Sequence, residues 1–344
     1  MSLKVAYGRR TELAVSYSRW WLENMLNLTG DEIEDLIRRV ISYGPPQWVS
    51  QDDTSKSLEV LGSLFHNGPL IEARAIQVAA GRLECRTVDL SWVNTQRMST
   101  ESIQREVIMF SKAVDVLLTA FVDVDTFGAG RRIVEQLGAV SRVPLVSLSD
   151  DIYASQSALA VTSALWKHLG DLRGKNIAVS WGFGSNHVLP SAAHSLCLLG
   201  ASLGANIRVV SPSDFPLLNR VLRETQDRAK TAGGTFKECH DFDSFHDVDA
   251  VYAMNWCRLD DFNRPERNSE HASKYRDWHF TKDVLPQNAL FVTSPPIQTE
   301  LLASRELIDS ENNLTTDLFA WTVQALLASI SYVIDENARH SVLL

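Results

Sequence analysis

Asn176-Ile177-Ala178-Val179-Ser180-Trp181, then Gly182-Phe183-Gly184-Ser185-Asn186-His187-Val188-Leu189-Pro190, then Ser191-Ala192-Ala193-His194-Ser195-Leu196-Cys197-Leu198-Leu199 is the stretch from which the fold is read. The first six residues are mostly apolar without alternation, the mark of a strand buried on both faces. Glycines with Ser and Asn then make a loop. Small and apolar residues follow at helical length, with Ser191 a candidate N-cap after Pro190. Strand, loop and helix are half of a βαβ unit, and ligands in such sheets collect beyond the carboxyl ends of the strands. The stretch therefore reads either as a ligand-bearing loop or as a plain crossover.

The same alternation extends in both directions. Toward the N-terminus, Leu28 to Ile37 reads as a helix capped by Thr29, with Glu32 at the capping-box position and Gly44-Pro45-Pro46 as its stop. Strands are expected at Leu58–Phe65, Arg86–Leu90, Ala113–Phe121 and Val143–Leu148. Helices are expected at Ile71–Leu83, Thr100–Ser111 and Gly128–Leu137. Toward the C-terminus, strands are expected at Ala205–Val210, Thr235–Cys239, Asp249–Asn255 and Ala289–Thr293, and a helix at Leu217–Gly233. Arg258 to Asp277 is polar and Pro-interrupted and reads as a long loop. Asp150–His168 and Thr316–Ile334 are long helix candidates that cross between two halves. The class is α/β, with two doubly wound parallel-sheet domains. The first domain is expected to take residues 1–149 and 316–344, the second residues 150–315.

At 344 residues the chain is long for one core. Its net charge of −9 and pI near 5.5 argue against nucleic acid or an anionic membrane surface as partner. No uninterrupted apolar run reaches the ~18 residues of a membrane span. The N-terminus lacks a signal-peptide pattern. Cys85, Cys197, Cys239 and Cys257 have no CxxC spacing, which points to reduced thiols in the cytoplasm. No His/Cys/Asp/Glu spacing suggests a metal site, and no cofactor is expected.

Specific residues now resemble a known family. Leu28-Thr29-Gly30-Asp31-Glu32-Ile33 resembles the opening helix of the ornithine and aspartate transcarbamylases. Val143-Pro144-Leu145-Val146 through Asp151-Ile152-Tyr153 to Leu159-Ala160 resembles their interdomain helix. Val251-Tyr252-Ala253-Met254-Asn255-Trp256 and the long Pro-containing loop from Trp181 resemble the acetylornithine and succinylornithine subgroup, to which the likeness is nearest. The resemblance covers nearly the whole chain. It implies a knotted chain of trefoil type, a homotrimer, and an amino-acid-like small-molecule substrate.

The departures fall on the charged groups. Where that family holds carbamoyl phosphate with a Ser-Thr-Arg-Thr-Arg-like loop at a helix N-terminus, this chain has Pro69-Leu70-Ile71-Glu72-Ala73. A further family arginine falls on Ala120. The His-Pro-x-Gln motif falls on Ala154-Ser155-Gln156-Ser157, and the His-Cys-Leu-Pro motif on Thr293-Ser294-Pro295-Pro296, followed by Gln298 and Thr299 in place of arginines. A phosphate dianion wants backbone N–H donors and bidentate guanidinium groups. At roughly 1.5–3 kcal/mol per charge-assisted bond, three lost arginines remove about 5–9 kcal/mol. A micromolar ligand is held by only about 8 kcal/mol.

By position in the cleft, Glu72, His66 and Ser294 are the candidate catalytic residues. Asn67, Tyr153, Gln156, Trp181, Asn255 and Trp256 are the candidate substrate-binding residues. Each has a plainer reading. Glu72 is also placed to cap its own helix or pair with Arg74; His66 is also a turn histidine. Tyr153 and Trp256 are also packing residues. Ser294 has no visible base, which a nucleophile needs. His187 and Asn186 also serve simply to shape their loop, and Arg264-Pro265-Glu266-Arg267 is also a solvated face. Two functions follow. One is a diverged transferase acting on an amino-acid-derived substrate in specialised biosynthesis, without carbamoyl phosphate used in the family's way. The other is a catalytically inactive homologue acting as a regulatory or structural subunit. An open polar pocket with convergent titratable groups favours the first; a pocket filled by Pro69, Leu70 and Ile71 favours the second.

Overall fold

The computed structural model describes residues 21–22, 25, 27–43, 58–68, 70–91, 99–242 and 244–341. Pro69, the Leu70 side chain and the Gly44-Pro45-Pro46 stop lie outside the described residues. Two five-stranded parallel sheets carry the chain. The first has the order β1-β5-β4-β2-β3, from β1 (Trp21–Leu22), β2 (Val60–His66), β3 (Arg86–Asp89), β4 (Val116–Phe121) and β5 (Leu145–Asp150). The second has the order β10-β9-β6-β7-β8, from β6 (Asn176–Trp181), β7 (Asn206–Val210), β8 (Phe236–Cys239), β9 (Ala250–Met254) and β10 (Leu290–Thr293).

Burial marks the strands that the rest of the molecule covers, the edge strand β10 among them. Every residue of β4, β5, β9 and β10 is buried. Both faces of these strands are covered. β3, Arg86-Thr87-Val88-Asp89, is polar and mostly exposed, as an edge strand should be. In the second sheet β6 lies between β7 and β9, with Trp181 opposite Met254 and Ser180 opposite Val210.

Ten α-helices occur among the described residues, and the two long ones join the halves. α1 (Gly30–Ser42) starts at a complete capping box. The Glu32 amide donates to Thr29 Oγ1 at 3.3 Å and the Thr29 amide to Glu32 Oε2 at 2.7 Å. Its buried stripe is Ile33, Leu36, Ile37 and Val40. α2 (Leu70–Arg82), α3 (Thr100–Phe110) and α4 (Ala129–Val140) complete the first half. α5 (Ser155–Leu169) packs on α6 (Ser191–Ser202) in the second half, and α10 (Leu318–Ser341) packs on α1, α2 and α5. α7 (Asn219–Ala232) ends on Gly233 at φ 82°, a left-handed cap. The 22 residues Thr315–Glu336 are long and apolar enough to cross a bilayer. Here they are a core helix, with Val323, Leu326, Leu327, Ile330 and Val333 buried.

Three local expectations are corrected. Asp150 and Asp151 do not start the interdomain helix, which begins at Ser155. Asp150 Oδ1 accepts from the Ile152 and Tyr153 amides at 2.7 and 2.8 Å. Asp151 accepts from the Asp123 and Gly130 amides at 2.6 and 2.8 Å, the latter in the first turn of α4. Carboxylates that satisfy amides outside a helix compete with helix formation at their own position. Ser191 is the first helical residue of α6 rather than its cap; Pro190 precedes it and no side chain caps the end. The segment from Arg258 is ordered: it contains a 3-10 turn at Leu259–Asp261 and α8 (Pro265–Ala272). Asp261, fully buried, organises it. Its carboxylate meets Arg258 at 3.1 Å, Arg267 at 3.2 Å, Arg264 at 3.5 Å and His271 at 3.7 Å. α9 (Arg305–Ile308) lies beyond β10.

Candidate functional site

A cavity of about 350 Å³ lies between the two sheets. Its walls come from the carboxyl ends of strands in both, the place where open α/β sheets bind ligands. β2 leads to Asn67, the first turn of α2 supplies Ile71 and Glu72, and the chain after β4 supplies Val122, Asp123 and Val124. α5 turns Ala154, Ser157 and Val161 toward it, positions i, i+3 and i+7 of one helical face. The second half adds His187 from the loop after β6, Tyr252 and Met254 from one face of β9, then Cys257, Phe262 and Ser294. Thr322 of α10 closes one side. No Lys or Arg is among the described lining residues.

Glu72 is the most unusual group there. It lies in the first turn of α2, where the helix dipole favours an anion, and is 1% exposed. Ser157 Oγ donates to its Oε1 at 2.6 Å. Its Oε2 is buried without a hydrogen-bond partner. Burial raises its pKa to about 7, against the opposing pull of the Ser157 hydrogen bond.

Other polar groups line the cavity from several elements. Tyr252 is buried, and burial pushes its phenol upward while Ser294 opposes. His187 Nε2 lies 2.7 Å from the Phe262 carbonyl. A carbonyl only accepts, so Nε2 carries a proton, and in the neutral ring Nδ1 is then an acceptor. Nδ1 is buried and has no partner. Asp123 Oδ1 accepts from the Asp125 and Thr126 amides at 2.9 and 2.6 Å. Burial pushes the Cys257 thiol up to about 12, so it is an inert wall group.

Of the nine residues named from sequence, the structure brings Glu72, Asn67 and Ser294 to the cavity. His66 stands beside it: its Nε2 lies 3.2 Å from Asn67 Nδ2, and its ring stacks on Phe121 at 6.4 Å. The other five lie elsewhere. Gln156 is one residue before Ser157, about 100° around the helix, and its amide bonds Ser329 of α10 at 2.9 Å. Tyr153 packs with Leu198 and Val221, with the Arg131 guanidinium over its ring. Trp181 and Trp256 are fully buried. Trp181 Nε1 donates to the Trp256 carbonyl at 2.9 Å, and Trp256 Nε1 to the Phe215 carbonyl at 3.0 Å. Asn255 Nδ2 donates to the Gly182 carbonyl at 3.1 Å. These residues hold the long loop after β6 to the later chain. Gln298 does likewise, accepting from the Ser185 amide at 2.6 Å. Arg74 is on the exposed face of α2.

Sequence reasoning missed Ser157 and Tyr252 as cavity-lining residues. Ser157 stands at the last position of the four-residue segment Ala154-Ser155-Gln156-Ser157, one helical face away from Gln156. Tyr252 shares the period-two face of Met254, which a strand alone cannot assign to a cavity.

Comparison with known proteins fits this geometry. The family described as "Aspartate/ornithine carbamoyltransferase, Asp/Orn binding domain" matches residues 174–328. The anabolic ornithine carbamoyltransferase of Pyrococcus furiosus is 25% identical over 293 residues, covering 84% of this chain and 88% of its own. The N-acetylornithine carbamoyltransferase of Xylella fastidiosa is 28% identical over 180 residues, 50% of this chain and 53% of its own. Acetylornithine transcarbamylase complexed with acetylcitrulline superposes with a TM-score of 0.80 at 19% identity, covering 91% of this chain and 98% of that one.

Proposed function

Because the chain belongs to the aspartate/ornithine transcarbamylase superfamily, we propose that it is a diverged transferase. It acts on a small amino-acid-derived substrate in specialised biosynthesis and does not take carbamoyl phosphate in the manner of its relatives. One observation carries this reading. The α2 N-terminus, where the resemblance puts the donor phosphate, holds the chain's own carboxylate, Glu72, and no Lys or Arg is among the described lining residues. A dianion entering there meets repulsion instead of guanidinium groups.

The cavity sets a few polar groups in a largely apolar wall and is roomy enough for a metabolite. Glu72, poised near neutrality, is suited to move a proton during group transfer. Ser294 serves as a hydrogen-bonding group, since its hydroxyl lies 3.4 Å from the Pro295 carbonyl and no base among the described residues is seen to activate it. A filled pocket would favour the inactive-subunit reading. Ile71 does form part of the wall, yet about 350 Å³ stays open. The proposal includes a cytoplasmic homotrimer, and light scattering on the purified chain tests the assembly.

The deciding assay offers carbamoyl phosphate with ornithine, N-acetylornithine, N-succinylornithine and aspartate, and follows ureido product. No product above background is the expected result. Turnover with any of the four overturns the reading.

A further inference from the structure

Two buried polar atoms of the cavity lack hydrogen-bond partners. Glu72 Oε2 and His187 Nδ1 have no hydrogen-bond partner, and both residues line the same space. The partnered atom of each is already committed, to the Ser157 hydroxyl and the Phe262 carbonyl. The remaining titratable groups on the walls are Asp123, Tyr252 and Cys257, none of them cationic. A buried carboxylate oxygen without a partner is costly, by about 1–3 kcal/mol for a neutral acceptor and more for a charged one. The ligand that relieves this donates hydrogen bonds and carries positive charge. A primary ammonium has three N–H donors and no acceptor. The rest of the lining suits an alkyl arm: Ile71, Val161, Leu189, Met254, Phe262 and Leu318 are apolar.

We propose that the polar end of this cavity is a receptor for the side-chain ammonium of an aliphatic amino-acid derivative, with Glu72 Oε2 as its counter-ion. This rests on the reading of the cavity as a substrate site, but not on any reaction. The cleft is thus inverted in charge preference. Cation binding displaces the proton that the empty carboxyl holds near neutrality, so binding is coupled to proton release.

The test is calorimetry on the full chain with a matched pair of ligands. N-acetyl-L-ornithine carries the δ-ammonium; N-acetyl-L-norvaline has the same backbone without it. Inorganic phosphate is the third probe. The ornithine derivative is expected to bind at least about tenfold tighter than the norvaline one, the size of a single charge-assisted contact. Titrations at pH 7 in buffers of different ionisation enthalpy should show about half a proton released per ammonium bound. In Glu72→Gln the preference should fall to near unity and the proton release vanish. Should that variant misfold, Ser157→Ala, which removes the Oε1 donor, should leave the preference in place and raise the proton release at pH 7. Equal affinity for the pair, absence of binding by either, phosphate binding tighter than the ammonium ligand, or an unchanged preference in Glu72→Gln each overturns the proposal. Calorimetry needs no turnover. A failed carbamoylation assay therefore leaves it standing, and a failed titration leaves the transferase reading standing.

Discussion

At the residue scale, Glu72 is a buried carboxylate whose one firm partner is a hydroxyl. Folded, it holds its proton up to about pH 7; its ordinary value is 4.5. Folding therefore takes up a proton between those values, and stability falls as pH rises through them, by about 3 kcal/mol in all. His194 acts in the opposite sense. It is fully buried, bonded to the Ile152 carbonyl at 2.8 Å and the Leu218 amide at 3.1 Å. Burial lowers its pKa from 6.5 to about 4. Its stability contribution is present above 6.5 and lost as pH falls toward 4. The two opposing slopes flatten the wild-type profile. Glu72→Gln should remove one of them. Chemical denaturation from pH 4 to 8 is expected to show the variant more stable than wild type at pH 8, by about 2–3 kcal/mol, with the advantage gone near pH 4. A parallel pair of curves would show that Glu72 is not titrating in the fold.

At the scale of elements, the segment from Arg258 to Ala272 depends on one buried acid. Asp261 is fully buried, while the Arg264 and Arg267 side chains are about half exposed. Removing one member of a buried ion cluster leaves the others uncompensated, which costs about 3–5 kcal/mol for a buried pair. Two of the arginines here can relax into water, so about 2–3 kcal/mol is expected for Asp261→Asn. The loss should be local. Hydrogen exchange is expected to rise across residues 258–272 and the loop holding His187, whose ring bonds the Phe262 carbonyl. Exchange that rises evenly over the whole chain instead would mean that Asp261 supports the global fold. From sequence this segment reads as a solvated loop, because its charges are legible and their common partner is not.

At the scale of the whole molecule, α10 ties the halves together. It packs on α1 and α2 of the first half and on α5, which in turn packs on α6 of the second. Leu326 on α10 is 1% exposed, and Leu326→Ala should cost about 2–5 kcal/mol. Because that helix reaches the second half through α5, far-UV circular dichroism and tryptophan fluorescence should still give coincident unfolding curves. Trp181 and Trp256 report on the second sheet. Separated transitions would show the halves folding as independent units.

The chain by itself determined the α/β alternation, the parallel sheets and most element positions. Buried central strands and capped helices are local patterns: apolar runs such as Ala250–Met254 and the Thr29–Glu32 box are written in adjacent residues. Only the tertiary structure decided which polar residues share the cavity. Gln156 and Ser157 are neighbours in sequence, yet one faces α10 and the other Glu72. Trp181, Asn255 and Trp256 proved to be internal fasteners, since their partners are carbonyls far along the chain. Helical phase and long-range hydrogen bonding set those roles, and neither is carried by residue type alone.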